Sequence, residues 1–255
     1  MASALIGGLL RSGTAPAQIL VVEPVEAQRD KLAQAFGVAA QPAADARLAG
    51  AATVVWAVKP QLFAEAAAPC APHIGQALQL SVMAGIRSEA LVHAAGTERV
   101  VRAMPNTPAL IGQGIAGLYA RPAVDAAGCA AVQALFAPTG ASIWVEREDD
   151  LDAVTALSGS GPAYVFYFLE AMMQAGAEMG LSPEHSRLLA QSTFAGAAAL
   201  AQQSPLSPTT LREQVTSKGG TTFAAVSSLD ASGVKAAFVK ALHAARDRAA
   251  ELGRA

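Results

Sequence analysis

Four short, mainly apolar runs limit what this chain can fold into: Ile19–Val22 and Thr53–Val58, which are continuous, then Leu78–Val82 and Val100–Met104, which continue the series with Gln79, Ser81 and Arg102 among them. A strand that is apolar on both faces must be covered on both faces, as in the interior of a parallel sheet. Between these runs lie stretches of helical character, Val25–Phe36, Gln61–Ala68 and Ser88–Ala95. A further helix is expected over Met1–Leu10, closed by Arg11-Ser12-Gly13 and stopped by Pro16. Strands alternating with helices predict a doubly wound parallel sheet. Such sheets take ligands beyond the carboxyl ends of their strands. That places attention on Glu23, on Ala57-Val58-Lys59-Pro60, and on Asn106, which two prolines hold in an extended turn. Glu23 stands where an acid would accept from a ribose 2′-OH, and equally where a helix start favours a negative charge. Lys59 reads equally well as a surface lysine.

The second half of the chain differs. After Ile143-Trp144-Val145 comes the charged run Glu146–Asp150, and everything beyond it reads as helix. Two domains are therefore expected, residues 1–147 forming the α/β part and residues 148–255 an all-α part. Leu157–Pro162 opens a helix, with Pro162 suited to its first turn. The following Ala163–Met179 is apolar nearly all round, so it has to be covered on more than one side, which a small helical domain achieves by packing on another subunit. Helices are also expected at Pro183–Gln203 and Val234–Leu252, with Thr209–Val215 leading from the loop Ser204–Pro208 into the stretch described next.

Within that half, Val215-Thr216-Ser217-Lys218-Gly219-Gly220-Thr221-Thr222 has the composition of an anion cradle. Two glycines allow a tight turn, and a helix predicted to begin at Phe223 would leave its first N–H groups without partners. A carboxylate or a phosphate fits there. A threonine-capped helix start with no ligand accounts for the same residues.

Composition excludes several classes. With 53% hydrophobic and 15% charged residues over 255 positions, the chain is too apolar for disorder. A net charge of −2 with no local Lys/Arg cluster argues against nucleic acid. No apolar run reaches the ~18 residues of a membrane span, and cytoplasmic residence is the expectation. Cys70 and Cys129 are isolated, and the four histidines (His73, His93, His185, His243) lack partner spacing, so no metal site is expected.

Ala57–Gln61 (A-V-K-P-Q), Met104–Pro108 (M-P-N-T-P), Leu157–Tyr164 (L-S-G-S-G-P-A-Y) and Val215–Thr222 (V-T-S-K-G-G-T-T) occur in this order. Together, along its whole length, the chain resembles the pyrroline-5-carboxylate reductases. The resemblance implies a Rossmann-like N-terminal domain, a helical C-terminal dimerisation domain, and dimers assembled further, often into decamers. It implies reduction of 1-pyrroline-5-carboxylate to L-proline by NADPH or NADH. By similarity, Ser217, Gly219, Gly220 and Thr221 would take the substrate carboxylate, and Thr222 would donate to the ring nitrogen as the catalytic residue. Ala57, Val58, Lys59, Pro60 and Asn106, with Glu23 at the ribose, would hold the cofactor. In some relatives the position of Glu148 lies near the substrate. Members of the family open with a strand and a turn of the type I-G-x-G-N-M-A, and Met1-Ala2 falls at the end of that pattern, so unpaired strand edges are expected in the sheet. Near Ala44, where relatives commonly carry Asn, no polar side chain is offered. A truncated, non-catalytic dimerising scaffold and a reductase of another cyclic imine are the alternative readings.

Overall fold

The computed structural model describes residues 1–254. Its strands are β1 (Val21–Val22), β2 (Ala40–Gln41), β3 (Thr53–Trp56), β4 (Leu78–Ser81), β5 (Val100–Met104), β6 (Gly114–Ala120) and β7 (Gly140–Trp144). They form two sheets, a parallel pair β1-β2 and a five-stranded sheet in the order β3-β4-β5-β6-β7. β3, β4 and β5 run parallel, as the apolar runs predict. β1 and β3 belong to different sheets, and Val55 of β3 is exposed.

Successive side chains of a strand point to opposite faces, and β5 divides its residues accordingly. Val101 and Ala103 join Leu78 and Leu80 of β4 in a core with Leu5, Val132 and Phe136. These last three come from α1 (Ala2–Arg11) and α5 (Ala126–Phe136). Val100 faces the other core, with Trp56, Phe63, Ile74 and Leu91. There α3 (Phe63–Cys70) and α4 (Ser88–Ala95) provide the cover. Trp56 meets Phe63 edge-on at 5.3 Å, and its indole N–H donates to buried Gln79 Oε1 at 2.9 Å, so the polar end of each side chain is satisfied. α2 (Glu26–Phe36) follows β1.

One expectation is corrected. The sheet is mixed, because β6 runs antiparallel to β5 and β7 pairs parallel with β6. β6 reads Gly-Ile-Ala-Gly-Leu-Tyr-Ala. Its small residues carry little strand propensity, and pairing with β5 on one side and β7 on the other overrides that weakness. Gly114 and Gly140 are paired in register at the start of β6 and β7.

By contacts the chain forms two compact units, residues 1–162 together with those from 244 onward, and Ala163–His243. In the first, α6 (Asp150–Val154) packs on β5 and β6 and continues into a π-helical turn, Thr155–Gly159. The second holds most of α7 (Gly161–Glu178), then α8 (Pro183–Gln203), α9 (Pro208–Gln214) and α10 (Thr221–Ala231). α11 (Val234–Leu252) starts in the helical unit and ends in the first one. Gly176 is the buried residue of α7, while Phe166, Tyr167 and Met179 are exposed at 58%, 70% and 76%.

Gly140 has φ 135°, a region open to glycine alone, and a Cβ there would collide with the Gly114 carbonyl. Gly140→Ala should therefore lower the unfolding free energy by about 2 kcal/mol. Urea denaturation of the two proteins checks this, and an unchanged midpoint would show that the β6–β7 approach has slack.

Candidate active site

In the first unit, the ends of three strands carry the residues singled out from sequence. β1 ends at Val22, and Glu23 follows with its N–H on the Gln41 carbonyl at 2.9 Å. Glu23 Oε1 accepts from Val25 N–H at 2.9 Å, leaving Oε2 as the oxygen of a half-buried carboxylate with no such bond. Arg29 Nη1 donates to the carbonyls of Glu23 and Pro24 at 3.0 and 2.8 Å, fixing this turn from below.

β3 and β5 run parallel on either side of β4, so the segments after them leave the sheet at the same edge. After β3 come Ala57, half-buried, and Val58 and Lys59, exposed; Pro60 then opens a short 3₁₀ helix, Pro60–Leu62. After β5, buried Asn106 uses both polar atoms of its amide within the protein. Nδ2 donates to the Ser158 carbonyl at 3.2 Å, and Oδ1 accepts from Ile115 N–H at 3.0 Å. It therefore links the end of β5, the start of β6 and the π-helical turn. The 3₁₀ turn that follows, Thr107–Ile111, packs against α1, whose first turn holds no acidic residue.

In the helical unit, the octapeptide forms a turn and a helix start. Gly219 adopts φ 76°, and Gly220 donates to the Ser217 carbonyl at 3.0 Å. Gly220 itself is extended and serves as N-cap, so α10 begins at Thr221, two residues earlier than the sequence predicts. The left-handed glycine is the reason, since it completes the reversal before Thr221 rather than after it. The first intrahelical bond runs from Ala224 N–H to the Gly220 carbonyl. The N–H groups of Thr221, Thr222 and Phe223 precede it, and no side chain caps this helix. Ser217 is exposed beside them, Thr222 half-buried, and a Cβ on Gly220 would come within 2.8 Å of Ser217 Oγ.

Sequence reasoning did not foresee the partners of Glu148. Its carboxylate is turned inward: Oε1 accepts from Ser88 N–H at 2.6 Å and from Arg102 Nη1 at 2.8 Å, and Oε2 accepts from Ser88 Oγ at 2.7 Å. Arg121 Nη1 donates to the same Ser88 hydroxyl at 3.1 Å, while its Nε donates to Glu98. Burial raises the Glu148 carboxyl pKa, but the Ser88 bonds and the Arg102 guanidinium outweigh it, and the group is held below its ordinary value. An arginine inside the apolar run Val-Val-Arg-Ala-Met was the available signal.

Residues 148–252 match the family model described as pyrroline-5-carboxylate reductase dimerisation, and residues 1–85 one described as NADP oxidoreductase, coenzyme F420-dependent. Over 254 residues the chain is 43% identical to the pyrroline-5-carboxylate reductase of Pseudomonas aeruginosa, spanning 99% of this chain and 93% of that protein. The chain belongs to the pyrroline-5-carboxylate reductase family. It is also 39% identical over 255 residues to the pyrroline-5-carboxylate reductase of Haemophilus influenzae, covering 99% and 94% of the two. Among solved structures it is similar to a pyrroline-5-carboxylate reductase from Coxiella burnetii, with TM-score 0.90, 34% identity and coverage of 98% and 94%. A Plasmodium falciparum pyrroline carboxylate reductase with NADP bound gives TM-score 0.87 at 27% identity, with the same coverage. This family assignment agrees with the Rossmann-like first unit and the helical second one.

Because the folded-state carboxyl of Glu148 is held below its ordinary value, the stability it contributes is fully present above the ordinary carboxylate range. It is lost as pH falls through the lowered value. Urea unfolding from about pH 7 down to about pH 3 should show a steeper loss in the natural protein than in Glu148→Gln. Parallel curves would remove Glu148 from the acid response.

Proposed function

We propose that this protein reduces 1-pyrroline-5-carboxylate to L-proline with NADPH or NADH. The observation that carries the reading is the uncapped start of α10, on a chain 43% identical to a reductase of that name. The substrate joins a carboxylate to a ring imine, so it needs anion donors beside a hydrogen-bond donor. The N–H groups at Thr221 and its neighbours, with the Ser217 hydroxyl, suit the carboxylate, and Gly219, with positive φ and open space where a Cβ would stand, lets it approach the backbone. The half-buried Thr222 hydroxyl suits the ring nitrogen. A threonine is too weak an acid to protonate that nitrogen alone, so Thr222 orients an iminium already protonated or relays a proton from water.

The strand ends of the first unit fit a dinucleotide: Glu23 offers an oxygen for a ribose hydroxyl, and Ala57–Pro60 offers exposed backbone past β3. Bound reduced nicotinamide supplies a hydride to the imine carbon, which completes reduction of the C=N bond. Asn106 serves that site through the backbone it holds, since its own amide is engaged within the protein. Glu23 favours a free 2′-OH over a 2′-phosphate, and so NADH over NADPH.

We read residues 1–147 as the cofactor-binding domain and 148–255 as the substrate and dimerisation domain, a boundary supported by the start of the matching family model at 148. Exposed Phe166, Leu188, Leu189 and Met179 support a homodimer through the helical unit. Further assembly into a decamer, and a cytoplasmic enzyme, complete the reading; among the described residues no helix is long and apolar enough to cross a membrane. Light scattering on the purified protein measures the assembly.

Titrating NADH and NADPH into the 255-residue chain while following nicotinamide fluorescence tests cofactor binding directly. Absence of both binding and turnover would favour the dimerising scaffold. Turnover of piperideine carboxylate in preference to the five-membered ring would favour another cyclic-imine reductase. Thr222→Ala is expected to lower kcat/KM by about tenfold or more, roughly 1.4 kcal/mol of transition-state stabilisation. Unchanged kinetics would take Thr222 out of the mechanism. Gly219→Ala should raise KM for the imine, because φ 76° resists a side chain and the turn ahead of Thr221 would have to shift.

A further inference from the structure

The densest group of buried charge lies away from the strand ends, on the sheet face covered by α4. Arg102 and Glu148 side chains are 7% and 20% exposed and pair at 2.8 Å. Beside them Arg87 donates to Asp149 at 2.7 Å and to Asp152 at 3.0 Å. A buried ion pair adds little net stability compared with apolar side chains of similar volume. Its directional hydrogen bonds do supply registry. Here they tie three elements together, β5 through Arg102, the start of α4 through Ser88, and the chain entering α6 through Glu148.

From Glu148 the chain runs through α6 and the π-helical turn to Ser158, about 15 Å of helical rise. There is little slack along it. A Cβ on Gly117 of β6 would lie 2.7 Å from Val154 Cγ1, so α6 already sits as close to the sheet as a glycine allows. The π-helical turn is closed by Ser160 N–H on the Thr155 carbonyl at 2.8 Å. At its end the Ser158 carbonyl takes the Asn106 amide, and Asn106 takes Ile115 N–H. The segment is therefore a strut over β5 and β6, held by Glu148 at one end and Asn106 at the other.

We propose that Glu148 is a positioning residue, setting through this strut the place of the Asn106 turn at the end of β5. Its effect on turnover rests on the reductase reading above; its effect on the strut does not. Close packing transmits the displacement, because α6 cannot move without moving Val154 against Gly117 and Ser158 against Asn106.

Hydrogen exchange on Glu148→Gln tests the proposal without reference to activity. The expected result is at least tenfold faster exchange at Ile115 and Ser160, with amides of β4 and β5 around Leu80 and Val101 unchanged. Exchange at wild-type rates at Ile115 and Ser160, or acceleration in step with the β4 and β5 amides, would overturn it. Should Glu148→Gln fail to fold, Arg102→Met/Glu148→Met replaces the pair by apolar volume, and the same selective pattern is expected. In steady state, kcat should fall about tenfold in the double variant even where its melting temperature matches the natural protein, with KM for the imine little changed. Recovery of wild-type kcat together with stability would show that the pair only fills space. A natural protein that fails to turn over the imine would sink the reductase reading while leaving the exchange result to decide the strut.

Discussion

A helix leaves the N–H groups of its first turn without acceptors inside the helix, and how each start is satisfied organises much of this molecule. Three starts use their own cap residue: Asp125 accepts from Gly128 N–H at α5, Ser182 from His185 N–H at α8, and Ser207 from Thr210 N–H at α9. α4 has no such cap, since Arg87 precedes it, and takes its acceptor from Glu148 sixty residues later in the chain. α10 has neither a cap bond nor an acidic first turn. The same requirement thus produces ordinary helix starts, a tie between distant elements, and a start at α10 whose first N–H groups have no side-chain cap.

The tie at α4 also explains why charge is tolerated inside the sheet cover. Arg102 interrupts an apolar strand, and left alone it would be a costly buried cation. Glu148 neutralises it while accepting from the helix start, so one carboxylate answers two unsatisfied groups. Ser88 participates twice, through its backbone N–H and through a hydroxyl that donates to Glu148 and accepts from Arg121. The result is a connected polar patch on an otherwise apolar face.

Much of this was legible in sequence, for identifiable reasons. β3 lies in a continuous apolar run, and β4 and β5 in short runs broken only by Gln79, Ser81 and Arg102, so they stand out; Ser88–Ala95 was found with its observed bounds. β6 escaped notice because two glycines and two alanines break up its apolar residues, and because its direction is set by pairing with β5 rather than by its own residues. β1 and β2 are two residues each, too short to carry a period. In the Val215–Thr222 turn the helix start was misplaced, since Gly219 takes the left-handed conformation and Gly220, bonded to the Ser217 carbonyl, serves as the N-cap. Asn106 stood out by its prolines, but the partners of its amide are Ile115, nine residues on, and Ser158, fifty-two residues on, and no local pattern announces them.

The double use of the Asn106 amide bears on how the protein ages. Asparagine side chains hydrolyse slowly to carboxylates, and the product here would retain the acceptor for Ile115 while replacing the donor to Ser158 by a second oxygen. Two oxygens would then face each other in a buried place, and a chemical change of a single group would push the π-helical turn away from β5. Burial and engagement of both amide atoms restrict the side-chain rotation that this hydrolysis requires. The bonds that define the turn are therefore also its chemical protection, and material that has lost one unit of amide nitrogen at this position would carry its lesion at the joint between strand and helix.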